Sequence, residues 1–168
     1  MIAWVFYPKS SEPTPLARQV VGAFEEAEPK ITSSKYKLDS NGVLGHVAAG
    51  LKNLGFKVET SQKAADKIRV PVLYGRQGKP EKSFDADAFH ESGGFVIEVE
   101  AGRAVTNYQF LKDLFQACMM HNVYHLAVAV RQDYRGHKDY DAVCMFFDTL
   151  YASARLSLPL KSVLVIGY

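Results

Sequence analysis

Apolar and polar positions along this chain recur with two different periods, and the switches between them predict its elements. Residues 2 to 7 read as a short edge strand, ended by the Pro- and Ser-rich segment from Pro8 to Pro15. Pro15 suits the first turn of a helix with Thr14 as its cap, and Leu16, Val20, Val21 and Phe24 follow at helical spacing, predicting a helix to about Glu26. Val43, Leu44, Val47, Ala48, Leu51 and Leu54 keep one face of a second helix, capped by Ser40 or Asn41 and stopped at Gly55. Residues 56 to 60 alternate as a strand, and the run from Ile68 to Tyr74 contains Pro71, which predicts an edge strand or a neighbouring bulge. Thr106 or Asn107 caps a helix with Phe110, Leu111, Leu114, Phe115 and Cys118 on its apolar face. The β-branched run from Val123 to Val130 predicts a strand covered on both faces, followed by a polar, partly basic loop. A helix over residues 139 to 156 and a strand from Ser162 to Gly167 complete the order.

One stretch departs from ordinary alternation. Phe84-Asp85-Ala86-Asp87-Ala88-Phe89-His90 and Phe95-Val96-Ile97-Glu98-Val99-Glu100 flank the turn Glu91-Ser92-Gly93-Gly94, and both arms alternate acid with apolar. Pairing His90 with Phe95 sets Asp87 opposite Glu98 and Asp85 opposite Glu100. Like charges facing each other repel. Four carboxylates on one face of two strands therefore require a cation or shared protons, unless that face is simply solvated.

Composition changes this picture little. The chain has 168 residues, 48% hydrophobic and 23% charged, which is globular and long enough for one domain with a substantial core. A net charge of +2 is too small to announce a nucleic-acid binder by itself, leaving local patches to decide. Cys118 and Cys144 sit in apolar helix-like runs and read as core thiols of a reducing compartment. The apolar start at Met1 lacks a basic flank and is broken at Pro8-Lys9, too early for a signal sequence or a membrane span. The expectation is a cytoplasmic protein with no membrane partner.

Asp87, ten intervening residues and then Glu98-Val99-Glu100 resembles the PD-(D/E)XK motif of the restriction-endonuclease-like nucleases. The order of helix, three strands, helix and strand resembles their common core. More narrowly, the stretch from Leu44 to Tyr134 resembles small bacterial proteins assigned to that superfamily. The segments carrying this likeness are Gly55-Phe56-Lys57-Val58-Glu59, Pro71-Val72-Leu73-Tyr74-Gly75, Asp87-Ala88-Phe89-His90 and Glu98-Val99-Glu100-Ala101-Gly102-Arg103.

The resemblance implies an α/β fold with a mixed β-sheet in αβββαβ order and helices on both faces. Residues 1–168 would form a single domain with an N-terminal strand/helix arm over residues 1–35. It further implies a Mg²⁺-dependent nuclease, with Mn²⁺ as a substitute, hydrolysing phosphodiester bonds of nucleic acid, DNA in the first place. Asp87 and Glu98 would be the metal ligands, and Glu100 the third catalytic residue. Two positions depart from the motif: Glu100 stands where lysine is usual, as in some restriction enzymes of this superfamily, and Ala86 replaces the motif proline. Arg103 could reach phosphate in place of the missing cation, although it cannot accept a proton. Asp85 and Glu59 are additional candidate acids, because the body of the second helix carries none. Lys112 and, in the loop after the buried strand, Arg131 and Arg135 are candidate contacts to nucleic-acid phosphates, with Tyr134 between the two arginines as a stacking surface. Enzymes that cut both strands often pair two sites by two-fold symmetry, so a homodimer is an expectation too. Two alternatives remain: a catalytically weak or inactive nuclease-fold protein that binds DNA or protein, and an interaction protein whose acidic hairpin faces solvent.

Overall fold

A computed structural model describes residues 1–61, 63, 66–102 and 104–168. Its elements in chain order are β1 (Ala3–Tyr7), α1 (Pro15–Ile31), α2 (Ser40–Asn53), β2 (Lys57–Val58), β3 (Ile68–Tyr74), β4 (Pro80–Ala86), β5 (Ala88–His90), β6 (Phe95–Glu100), α3 (Gln109–Met119), β7 (His125–Val130), α4 (Asp139–Ser153) and β8 (Ser162–Gly167).

Six strands form one mixed sheet in the order β1-β8-β7-β6-β5-β2, and β3 and β4 form a separate two-stranded sheet. β6, β7 and β8 run parallel, as their connections through α3 and α4 require, whereas β2, β5 and β1 join antiparallel. Side chains alternate across the sheet. Phe95, Ile97, Val99, Ala127, Ala129, Leu164 and Ile166 face one core with α1 and α2, while Val96, Leu126, Val128, Val130, Val163 and Val165 face a second core with α3 and α4. Each such buried Val, Leu, Ile or Phe contributes about 1.5–3 kcal/mol. The N-terminal arm is part of this architecture: β1 pairs with β8 along Ala3 to Tyr7, and α1 packs on α2.

Local chemistry explains most boundaries. Thr14 accepts the amide hydrogen of Ala17 and Pro15 opens α1. This helix runs past Glu26 to Ile31, because Ala27 and Ile31 continue the buried face and Pro29 points outward. Asp39, one residue before the expected cap, accepts the amide hydrogen of Gly42 at 2.7 Å and starts α2. On that helix Gly50 allows close approach to α1, since a Cβ there would lie 2.9 Å from Ala23 Cβ. α3 starts at Gln109 without a side-chain cap, after Tyr108 in the left-handed region, rather than at Thr106 or Asn107. α4 stops at Ser153, where Ala154 takes φ 50°. Beside Pro71 the β3–β4 register shifts, as that proline predicts. Cys118 and Cys144 are free, half-buried thiols packed against the α3/α4 core. Among the described residues no helix is long and apolar enough to cross a membrane.

The acidic hairpin is only half as expected. His90 does pair with Phe95, and the ladder continues through Phe89↔Val96 to Ala88↔Ile97. There the chain leaves the main sheet, and β4 pairs with β3 instead, with Asp85 opposite Arg69. Asp85 is therefore not opposite Glu100. It stands exposed on the two-stranded sheet, because the turn in the chain at Asp87 separates two strands whose alternation is continuous in sequence.

Candidate active site

Asp87 occupies the junction between β4 and β5, and its backbone and side chain both bind neighbouring strands. Its carbonyl accepts the amide hydrogen of Glu59 at 2.8 Å, extending the β2–β5 pairing, and its Oδ2 accepts that of Val99 at 2.7 Å. The carboxylate thus takes the place of a ladder acceptor for β6. Burial pushes its pKa up to about 6 against the pull of the Val99 amide, with the charges of Glu59 and Asp113 adding to the rise.

Glu98 and Glu100 alternate with Ile97 and Val99, so both point from β6 to the face covered by α3. Burial holds the Glu98 carboxyl well above the usual range, and Asp87 and Asp113 raise it further while Lys112 opposes them. Glu100 is pushed up to about 8 by burial, then by the charge of Asp113 and a hydrogen bond to its carboxyl group. Asp113 is a fourth acid of the cluster and belongs to no motif of the sequence. It lies on α3 among Phe110, Leu114 and Ala117, 2% exposed, with Oδ1 at 3.1 Å from Lys112 Nζ and Oδ2 without a partner. A proton held on Glu100 supplies Asp113 with a second donor. The signal was available: Asp113 falls three residues after Phe110, on the helix face that otherwise carries only apolar groups.

Glu59 differs from an exposed strand-edge acid. It is 7% exposed, and Lys67 Nζ lies 2.8 and 2.9 Å from its two oxygens. Lys67, absent from the sequence-based candidates, also feels Asp85 and Asp87, which together with Glu59 raise its pKa. Glu59, Asp85, Asp87 and Glu98 line one cleft of about 490 Å³ with Lys67, Lys82, Lys112 and Gln116. Four carboxylates and three ammonium groups thus share the cleft, the three lysines arriving from three separate segments.

Glu100 opens on an adjoining crevice with Asp39, Ser40, Asn41 and Gln109, and Ser40 Oγ accepts the amide hydrogen of Ala101 at 3.2 Å. Beyond it lies a third crevice with Arg131 and Arg135. Their guanidinium groups flank the Tyr134 ring, 5.3 and 5.2 Å from its centroid, and the same ring packs on Gly102. Tyr134 is therefore occupied by protein groups rather than presented for stacking. Arg103 lies outside the described residues. Asp87, Glu98, Glu100 and Lys112 thus come together, whereas Asp85 sits on the rim and Arg131 and Arg135 stand at the far end.

Among the described residues no three His, Cys, Asp or Glu side chains close on a single metal position. Two carboxylates with water completing the shell is the ordinary Mg²⁺ arrangement, and Asp87 with Glu98 has that donor chemistry. No protein-family model matches the chain, and no curated protein matches it.

Proposed function

We propose that this protein is a divalent-metal-dependent nuclease that hydrolyses phosphodiester bonds of nucleic acid, DNA in the first place. The observation that carries this reading is the convergence of Asp87 and Glu98 from adjacent antiparallel strands into a cleft that also holds Lys67, Lys82 and Lys112. The fold supports it. α2, then β2, β5 and β6 antiparallel, then α3 and β7 parallel to β6, run in the αβββαβ order that this reading expects, with β3–β4 as an inserted hairpin.

Asp87 and Glu98 would hold Mg²⁺, or Mn²⁺, which when bound lowers the pKa of a coordinated water and offsets charge on the phosphate. The chain's own groups do the rest. Val99 N–H fixes the Asp87 carboxylate, so that its orientation does not depend on the substrate. Lys112 is held at the cleft by Asp113, and Lys67 by Glu59, so two ammonium groups face the place where phosphate oxygens would lie. Glu100 stands where the motif has lysine, and Lys112 is the cation whose charge reaches both Glu98 and Glu100.

The test is cleavage of plasmid and single-stranded substrates with Mg²⁺ or Mn²⁺ by the full chain and by Glu98→Ala. Metal-dependent cutting abolished by the substitution is expected. Cutting that survives it removes the assigned site. No cutting of any substrate favours a nuclease-fold protein that binds DNA or protein without catalysis, the reading that a carboxyl at position 100 supports.

A further inference from the structure

The third crevice is not used by the chemistry above. It measures about 750 Å³ and lies between the segment 33–39, which joins α1 to α2, and the loop 131–135 after β7. Its cations are Lys37, Arg131 and Arg135. None of them is in an ion pair among the described residues.

Arg131 is the informative one. It is only 8% exposed, its guanidinium donates to the Leu38 carbonyl, and no carboxylate stands within ion-pair distance. Asp139 feels its charge but remains farther away. A buried guanidinium whose nearest carboxylates stay beyond ion-pair distance gains when an anion reaches it from outside. The acids on the rim are already engaged: Asp39 accepts the Gly42 amide hydrogen at 2.7 Å, and Asp133 accepts that of Gly136 at 3.1 Å. The crevice thus presents three cations against two carboxylates, each of which accepts a backbone amide hydrogen of its own turn. Through Asp39, Ala101 and Tyr134 it is continuous with the crevice that ends at Glu100.

We propose that this crevice seats a phosphate group of the nucleic-acid strand, held by Arg131, Arg135 and Lys37, at a position beyond the one cut at the acid cleft. The inference rests on the nuclease reading for the identity of the strand. A guanidinium fork and an ammonium group match a phosphate in shape and charge. The phosphate is either an internal phosphodiester or the terminal monoester of a strand end, and the crevice serves both by the same contacts.

The test measures binding by the Glu98→Gln full chain, so that cutting does not intervene. Labelled oligonucleotides with a 5′-phosphate or a 5′-hydroxyl are titrated at several salt concentrations, with and without Lys37→Glu and Arg135→Glu together. Both positions are exposed, so folding is retained, which the thermal midpoint checks. The expected result is a loss of affinity of at least about tenfold and a fall of about 1.5 in the log–log salt slope. Loss on both oligonucleotides assigns an internal phosphodiester, and loss confined to the phosphorylated one assigns a strand end. Unchanged affinity, weakened affinity with an unchanged salt slope, or no binding by the Glu98→Gln chain overturns the inference. The two readings fail separately. A wild-type chain that cuts nothing while the salt-dependent loss persists removes the nuclease reading alone, and wild-type cutting with unchanged binding in the reversed variant removes the phosphate seat alone.

Discussion

Asp87 Oδ2 accepts the amide hydrogen of Val99 at 2.7 Å, so a side chain of one strand end completes the backbone ladder of the next strand. That bond gives Asp87 a structural role separable from its charge. Asp87→Ala leaves a buried N–H unpaired, which costs about 1–3 kcal/mol. Asp87→Asn keeps an amide oxygen as acceptor and removes a charge repelled by Glu59 and Asp113. Denaturant titration of the metal-free protein near pH 7.5 is therefore expected to show Asp87→Ala clearly destabilised and Asp87→Asn equal to or above wild type. Neither variant is expected to cleave nucleic acid.

The pH dependence has a definite sign. Asp87 is raised from 3.8 to about 6 and Glu100 from 4.5 to about 8, so between these limits the folded chain binds more protons than the unfolded one. Stability of the metal-free protein then falls as pH rises, through the window from about 4 to 6 on account of Asp87 and from about 4.5 to 8 on account of Glu100. Mg²⁺ favours the ionised carboxylates, so it should raise the thermal midpoint more near pH 8 than near pH 6. The same increment should be lost in Glu98→Gln. Scanning fluorimetry across pH, with and without Mg²⁺, reads both effects, and an increment independent of pH would contradict the assignment.

After burial, Asp113 is the largest influence on Glu100, through its charge and its hydrogen bond. Asp113→Asn removes that charge. The carboxyl carbon of Glu100, followed by NMR, is expected to titrate at lower pH in this variant than in wild type, while Glu91, on the surface and paired with Lys57, stays where it is. A Glu100 titration that does not move would mean that Asp113 does not share its environment in solution.

Gly102 is fixed by both conformation and space. Its φ is +118°, and a Cβ would lie 2.4 Å from Tyr134 Cε2. Gly102→Ala should cost roughly 1–3 kcal/mol of backbone strain before the collision is counted. Adding Tyr134→Ala relieves the collision but not the strain, so thermal denaturation should show partial recovery in the double variant. Full recovery would place the whole cost in the ring contact.

Much of this architecture is legible in the sequence. Period-3.6 apolar faces mark α1, α2 and α4, and the run from Val123 to Val130 marks β7, because burial on one or two faces imposes these patterns directly. Glu98 and Glu100 share a face with Val96 for the same reason. The separation of β4 from β5 is not legible. Alternation continues unbroken from Phe84 to Ala88, across the junction itself, and nothing local distinguishes a strand that changes sheets at Asp87 from one that continues, so the pattern places Asp85 opposite Glu100 where the fold does not. Lys67 belongs to the site through tertiary contact alone, by folding back onto Glu59, whereas Asp113 shows in the sequence as an acid on an otherwise apolar helix face and reaches the site by the docking of α3 on the sheet. No short motif spacing encodes either.

The parallel pairing of β6 with β7 has one more consequence. Glu100 lies beside Val130 in register, and Arg131 is the next residue along. The distance from the last acid to the buried guanidinium is thus set by neighbouring hydrogen-bonded strands and not by the loops that follow them. Lengthening the segment 132–138 would leave that spacing unchanged, while slipping β6 by one residue would turn Glu98 and Glu100 to the opposite face. The sheet works as a ruler: on the proposed reading, a nucleic-acid strand anchored at Arg131 would meet the acids at one fixed interval, whatever its base sequence.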